Sequence, residues 1–366
     1  DNKGAREGYA RTDPRMPLRE AEMIHLWPWE RVIREANPLG AMSSYNDYDG
    51  VPNTGGHYYL TDVLRTLMGF KGYVVSDSDA VKYLFEKHQV AADYKDAVRQ
   101  SILAGLNVRT TFTSPKVYVL PLRQLVKEGA VPMAVLDARV RDVLRVKMWE
   151  GLFDEPYRPL TNADEVVLSP AHLQVALQAS RESLVLLKNE NNLLPLDAGK
   201  IKTIAICGPN ADNEDYAKGH YGPNDADVIT LRRALEARFA GKGNVLYTKG
   251  CDFFDARWPD TEIMREPPTP NEQAEIDRAV ANARKADVAI VVVGDMPRGL
   301  PETRSTVGEN SSRTGLDLTG RQDDLIRAVA AVGKPMIVVT ISGRPVALNW
   351  ANRLCPAIIQ AFFPGM

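Results

Sequence analysis

Short apolar runs ending in polar clusters alternate along this chain with segments whose apolar residues recur every three to four positions. Leu39-Gly-Ala-Met42 opens into Ser43-Ser-Tyr-Asn46 and the turn-rich Asp47-Tyr-Asp-Gly50. Leu60, Val63, Leu64 and Leu67 then share one helical face, with Gly69 placed to end the helix. Gly72-Tyr-Val-Val75 runs straight into Ser76, Asp77, Ser78 and Asp79, the pattern of a strand buried on both faces that ends in two carboxylates. Tyr94, Val98 and Ile102 mark the next helix, closed by Gly105, and Leu106-Asn-Val108 is expected as a third strand running into Arg109-Thr-Thr. A helix over Pro121–Lys127 and a longer one carrying Leu136, Val140, Val143, Leu144 and Met148 follow. Ahead of this repeat, residues 1–20 read as a loop and Ala21–Ala36 as a helix interrupted or started near Pro28. Trp27 and Trp29 on it are read as packing residues rather than a sugar platform.

The expected strand ends Met42, Asp77 and Thr110 follow one another at intervals of 35 and 33 residues. That is the length of a βα unit, and its repetition implies a parallel sheet. Three units cannot close a barrel of eight, so either the sheet is open or the remaining strands lie before Asp1. From Phe153 to Pro170 the punctuation by Asp154, Pro156, Pro159 and Asn162 reads as a linker, and Ser169-Pro170 then opens a helix, Ser as cap and Pro in the first turn, that runs through Leu177 to Leu187. A second α/β region follows, with strands at Thr203–Cys207, Val245–Tyr247, Val288–Val293, Met336–Ile341 and Ala357–Ile359. Helices at Leu231–Phe239, Glu272–Ala286 and Gln322–Ala331 separate them. Two long loops, Gly208–Val228 and Asp295–Gly320, interrupt it, and loops of that length inside a compact domain carry function or lack order.

Composition narrows the function classes. The 366 residues are 44% hydrophobic and 25% charged, ordinary for a soluble protein of about two domains. A net charge of −2 without blocks of one sign favours neither nucleic acid nor a membrane surface, and no apolar run is long enough to span a bilayer. Cys207, Cys251 and Cys355 are odd in number and widely spaced, against a disulfide framework and against zinc. His25, His57, His88, His172 and His220 show no metal-ligand spacing and are read as structural or surface residues. The chain starts at Asp1 without a Met and stops after an apolar run, so it reads as a piece of a longer protein.

The chemistry rests on carboxylates. Asp77 stands where a βα loop begins, the face on which (β/α) barrels place their catalysis; a cap for the next helix is the competing reading of Asp77 or Asp79. The loop after Val293 carries Glu302 and Glu309, the latter in Val307-Gly-Glu-Asn-Ser-Ser-Arg-Thr314. A carboxylate from each region, brought together, is what cleavage of a glycosidic bond requires: one attacks the anomeric carbon and the other protonates the leaving oxygen. Asp77-Ser78-Asp79 is also a D-x-D triplet, as used to hold a divalent metal against a nucleotide diphosphate, although no Gly-rich phosphate loop accompanies it.

Several motifs together resemble glycoside hydrolase family 3. Gly72-Tyr-Val-Val-Ser-Asp-Ser-Asp-Ala80 is similar to its nucleophile segment, and Met42-Ser-Ser-Tyr-Asn46 with Asp49-Gly-Val-Pro52 to the preceding strand. Arg181–Asn189 through Asn192-Leu-Leu-Pro-Leu196 resembles the domain-junction helix, and Ile204–Ala211 the first strand of the second domain. The resemblance implies an α/β protein in two parts: the C-terminal portion of a TIM-like (β/α) barrel, residues 1–153, and an α/β sandwich with a mostly parallel sheet, 171–366, joined by a linker at 154–170. It implies a retaining exo-acting β-glycosidase for terminal β-D-glucosyl or β-D-xylosyl residues, on an oligosaccharide or aryl glycoside substrate, needing no metal or organic cofactor. Asp77 matches the nucleophile and Glu309 the acid/base, with Glu302 the fallback. Met42, Tyr45, Ser78 and Asp79 match positions lining the terminal-sugar subsite.

Departures accompany the match. The family's Lys-His pair and the earlier barrel strands would precede residue 1, so the isolated chain is expected to be inactive. Trp after the nucleophile is replaced by Ser78, closer to the β-xylosidase branch, and the polar residue of the third strand, often Asp, is Asn107. The alternatives are a non-catalytic sugar-binding remnant and a metal-dependent glycosyltransferase using Asp77 and Asp79. Exo-acting sugar hydrolases are often exported, which favours a periplasmic or secreted location over the cytoplasm. A homo-oligomer is one way to cover the open edges of an incomplete barrel.

Overall fold

The computed structural model describes residues 13–157, 163–218, 222, 227–297, 305–308, 313 and 315–365. The chain divides into two compact units, Asp1–Asn162 and Ala163–Met366.

In the first unit β1 (Gly40–Ser43) is followed by a small antiparallel pair, β2 (Asp47–Tyr48) and β3 (Val51–Pro52), and then by β4 (Tyr73–Ser76). β4 lies parallel to β1, with Gly40 opposite Tyr73 and Ser43 opposite Ser76. The two strands approach closely at Gly72, where a Cβ would stand 2.2 Å from the Leu39 carbonyl oxygen. The helices Tyr58–Leu67, Ala80–Glu86 and Tyr94–Ala104 pack around this pair. They bury Leu60, Val63, Val81, Leu84, Val98 and Ile102 with Val74 in one apolar cluster. Each such side chain contributes roughly 1.5–3 kcal/mol. Asp93 caps the last of these helices by accepting from the Asp96 amide, and Gly105, with φ 127°, ends it.

The third expected strand shrinks to one bridge, Val108 against Val75. Asn107 is the reason. The even-numbered amides of β4 point to this segment: Ser76 N donates to the Val108 carbonyl, but Val74 N goes to Asn107 Oδ1 at 2.7 Å, so a side chain takes the place of a ladder acceptor. The same oxygen accepts from Arg65 at 2.6 Å. Asn107 Nδ2 donates to the Arg139 carbonyl and to Asp142 Oδ2 at 3.0 Å, and Arg65 pairs with Asp142. An aspartate at 107 would set a second carboxylate against Asp142.

Three further expectations need correction. The first helix starts at Leu18, inside the stretch read as loop, and runs through Leu18–Glu20, Ala21–His25 and Leu26–Ala36 with Pro28 inside it. A wider π turn at Ala21–His25 loosens the backbone just ahead of Pro28, which has no N–H to give. Trp27 and Trp29 are not buried packing residues: both are exposed, and Arg31 lies over the Trp27 ring. The helix expected from Pro121 begins at Lys116 and carries Pro121 in its interior, held by burial of Tyr118 and Leu125.

In the second unit Ser169 caps the helix Pro170–Ser183 by accepting from the His172 amide. That helix does not continue to Leu187. Val185–Asn189 is a strand, β5, followed by β6 (Thr203–Cys207), β7 (Asn244–Thr248), β8 (Val288–Gly294), β9 (Met336–Ile341) and β10 (Ala357–Gln360). They form one six-stranded sheet in the order β5-β10-β9-β8-β6-β7, parallel except for β5 against β10. β8 is buried along its whole length, so its apolar residues alternate between two cores: Val291 and Val293 face Leu325 and Ala351, while Ile290 and Val292 join Ile204, Ile206 and Ile337. Gly294, with φ 133°, closes the strand where a Cβ would meet the Ile341 carbonyl oxygen at 1.9 Å. Strand order reverses at β6, and the two long loops leave from the carboxyl ends of β6 and β8, the crevice where open α/β sheets place ligands. The fold is thus α/β, with barrel-type βα units in the first part and a mostly parallel sheet in the second.

Replacing Asn107 by Leu strands the Val74 amide and leaves Arg65 and Asp142 without their shared neutral partner. Urea unfolding is expected to show a loss of about 2–4 kcal/mol. Asn107→Asp is expected to destabilise as well, through repulsion with Asp142.

Candidate active site

Asp77 follows β4 directly, and backbone bonds to both neighbouring segments fix the turn that carries it. Its amide donates to the Ser43 carbonyl of β1 at 3.1 Å. Ser76 Oγ, buried, accepts from Thr110 N at 3.0 Å, and Asp79 N donates to the Thr110 carbonyl at 3.0 Å. Asp79 adopts φ 61°, the left-handed region that Asp tolerates better than most residues, which lets strand turn into helix within three residues. The Asp77 carbonyl accepts from Ala80 N at 3.1 Å, joining that turn to the helix Ala80–Glu86.

The two carboxylates of the turn divide their roles. Asp79 heads the helix without a side-chain capping bond and instead accepts from Thr111 Oγ1 at 2.5 Å. Asp77 Oδ1 accepts from the Ser78 amide at 2.6 Å, the one side-chain bond it makes among the described residues. Neither behaves as a conventional helix cap.

Met42 and Tyr45 come from the end of β1 and the loop beyond it. Met42, opposite Val75 in register, is 58% exposed, and an apolar side chain left open at a strand's carboxyl end is available to a ligand. The Ser44–Asn46 loop is pinned from the 53–54 turn: Ser44 N donates to Asn53 Oδ1, Thr54 Oγ1 to the Ser44 carbonyl, and Asn53 N to the Asn46 carbonyl. Buried Ser43 and Thr54 share a hydroxyl bond of 2.9 Å beneath it. The first unit thus brings Met42, Tyr45, Asp77, Ser78 and Asp79 onto the carboxyl ends of adjacent parallel segments.

Glu309 and Glu302 lie outside the described residues. The loop that contains them is anchored on each side of Glu309 in sequence. On the near side Thr306 Oγ1 donates to Asp295 at 2.7 Å, Thr306 N to the Met296 carbonyl, and Val307 bridges Pro297. On the far side Arg313 Nε and Nη2 reach one oxygen of Glu262 at 2.8 and 2.7 Å, which also accepts from Trp258 Nε1. Asp295, 1% exposed at the end of β8, is the centre of the near anchor and was missed by sequence reasoning. It accepts from Thr306, Ser342 and Arg344, and Arg344 extends to the Gly315 carbonyl. The signal that singled out Asp77, a carboxylate ending a buried apolar strand, was equally present at Asp295.

Among the described residues no three His, Cys, Asp or Glu side chains gather as a metal site, and no helix is long and apolar enough to cross a membrane. The three cysteines are free and buried, and burial pushes Cys207 and Cys355 up to about 12.

The first unit carries a carboxylate at a parallel strand's carboxyl end, and the second is an α/β unit built on a mostly parallel sheet. Residues 3–146 match the glycosyl hydrolase family 3 N-terminal domain and residues 184–366 the glycosyl hydrolase family 3 C-terminal domain, and the chain belongs to this family. It is 36% identical to the periplasmic beta-glucosidase of Salmonella typhimurium over 90% of this chain and 43% of that protein. It is 29% identical to a beta-xylosidase of Formosa agariphila over 96% of this chain and 47% of that one. Among solved structures, a β-glucosidase from Erythrobacter marinus superposes with a TM-score of 0.84 at 30% identity, over 98% of this chain and 49% of its own. The chain spans about half the length of the relatives it matches.

A polar cavity of about 380 Å³ lies in the second unit, lined in part by Trp258, Glu262, Arg265, Arg313, Asp323 and Trp350. Burial pushes the Asp323 carboxyl up to about 6 against the opposing pull of Arg265 at 3.7 Å. A carboxyl raised above its unfolded value of 3.8 holds a proton in the folded state that the unfolded chain has released, so stability falls as pH rises from about 3.8 to 6. Asp323→Asn is expected to flatten that slope and to raise stability at pH 7, as read by urea unfolding across pH 4–7.

Proposed function

We propose that the protein carrying this chain is a retaining exo-acting β-glycosidase that removes terminal β-D-glucosyl or β-D-xylosyl residues. The observation that carries the proposal is Asp77: a carboxylate fixed at a parallel strand's carboxyl end by backbone bonds on both sides, with side-chain capacity left unused among the described residues. Asp77 attacks the anomeric carbon and forms a glycosyl-enzyme as the leaving oxygen takes a proton from Glu309. Glu309 then removes a proton from water, which displaces Asp77 and restores the starting configuration. In this mechanism the two carboxyl groups work about 5–5.5 Å apart.

Met42, Tyr45, Ser78 and Asp79 line the terminal-sugar subsite in this proposal. The thioether and ring supply apolar contact, and Asp79, oriented by Thr111, accepts from a sugar hydroxyl. The small Ser78 beside the nucleophile leaves room that Trp would fill. Similarity to both a beta-glucosidase and a beta-xylosidase supports the pair of candidate sugars. Glu309 is preferred to Glu302 because Gly308-Glu-Asn-Ser-Ser-Arg313 is similar to the family's acid/base segment, a Glu followed by a short spacer and an Arg.

The test is turnover of aryl β-glucoside and β-xyloside by the full-length protein. Asp77→Asn is expected to lower kcat by about 10³-fold or more with an unchanged melting temperature. Glu309→Gln should slow poor leaving groups far more than good ones, while Glu302→Gln stays near the parent. A near-normal rate for Asp77→Asn would overturn the proposal.

A further inference from the structure

Tyr45 is gripped twice by the chain that follows the nucleophile. Its ring meets the Tyr83 ring at 5.3 Å between centroids. Its carbonyl oxygen stands 2.9 Å from His88 Nε2, and since a carbonyl only accepts, Nε2 carries the proton. His88 Nδ1 faces Asp47 Oδ1 at 3.7 Å, and the His88 side chain is only 9% exposed.

The support behind His88 is backbone. The helix Ala80–Glu86 starts one residue after Asp79, and at its far end the His88 amide donates to the Tyr83 carbonyl at 2.8 Å. Gln89 then turns with φ 56°, and the Leu84 carbonyl collects the Val90 and Ala91 amides. Tyr83 therefore holds Tyr45 through its ring and His88 through its carbonyl. The Ser44 and Asn46 backbone groups are tied to residues 53–54, whereas the Tyr45 carbonyl between them is tied to His88.

We infer that His88 is a positioning residue for the terminal-sugar subsite: with Tyr83 it clamps the Tyr45 loop to the helix whose first turn adjoins Asp77, so that nucleophile and sugar contact keep a fixed separation. The inference rests on the hydrolase reading for what Tyr45 does, but not for what holds Tyr45. His88 acts through the Tyr45 carbonyl, so its loss acts on binding of the sugar more than on the chemistry that Asp77 performs.

The test compares the full-length parent with His88→Leu, which keeps bulk and removes the donor, and His88→Gln, which can present an amide N–H in its place. Michaelis parameters on aryl β-glycosides are measured beside hydrogen exchange of peptides covering residues 43–54. His88→Leu is expected to raise KM about tenfold, the effect of taking the His88 donor from a part-buried carbonyl, with kcat within about threefold. It should also speed exchange in 43–54 about tenfold, and His88→Gln should restore both. Parent-like KM and exchange in His88→Leu would overturn the inference. If the parent hydrolyses no β-glycoside, the hydrolase reading fails, and the exchange comparison still decides: faster exchange upholds the clamp and unchanged exchange sinks it.

Discussion

The candidate site depends on how the end of β4 is bonded. Odd-numbered amides of this strand go to β1 and even-numbered ones to the segment through Val108, so the chain is held from both sides up to the residue that bears the carboxylate. The Asp77 amide to the Ser43 carbonyl and the Asp79 amide to the Thr110 carbonyl are the last two of these bonds. Between them the backbone swings into the left-handed region at Asp79 and starts a helix. The side chains of Tyr73–Val75 need only be apolar and β-branched or aromatic, while Ser76 ties the strand end to Thr110; the residues past it are free to be chosen for chemistry. This is the division of labour that a parallel sheet imposes, since its carboxyl ends open onto loops while its body is covered on both faces.

The same logic appears in the second unit with a different outcome. β8 is wholly apolar and ends at Gly294, and the next residue is again an aspartate. Asp295 is engaged by Thr306, Ser342 and Arg344, and so serves to hold the near arm of a loop, where Asp77 keeps its carboxylate largely unspent. A carboxylate at a strand end is thus tied down as a structural anchor or left open according to how many donors surround it, and donors arriving from distant residues cannot be read from local sequence.

That distinction marks how far the sequence was legible. Strands such as Thr203–Cys207 and Met336–Ile341 were clear because uninterrupted apolar runs between turn residues leave few alternatives. Val185–Asn189 was misread as helix because Leu-rich segments suit a helix equally well; antiparallel pairing with β10, more than 160 residues away, decides it. The third strand of the first unit lost its ladder to the side chain of Asn107, which looked like a mere departure from pattern. For the candidate site, the placement of Asp77 at a strand's carboxyl end was legible from the apolar run Tyr73–Val75. The grip of His88 on Tyr45 was not, because a histidine following a helix carries no signal of which carbonyl it meets.

The most direct measurement is labelling of the full-length protein with 2-deoxy-2-fluoro glycosides, gluco and xylo, followed by peptide mass mapping. Fluorine slows breakdown of the glycosyl-enzyme, so the nucleophile stays marked. The account predicts a single sugar adduct on the peptide containing Gly72–Asp79, located at Asp77 and absent from Asp77→Asn. An adduct on another carboxylate, or none with either sugar in folded protein, would contradict it.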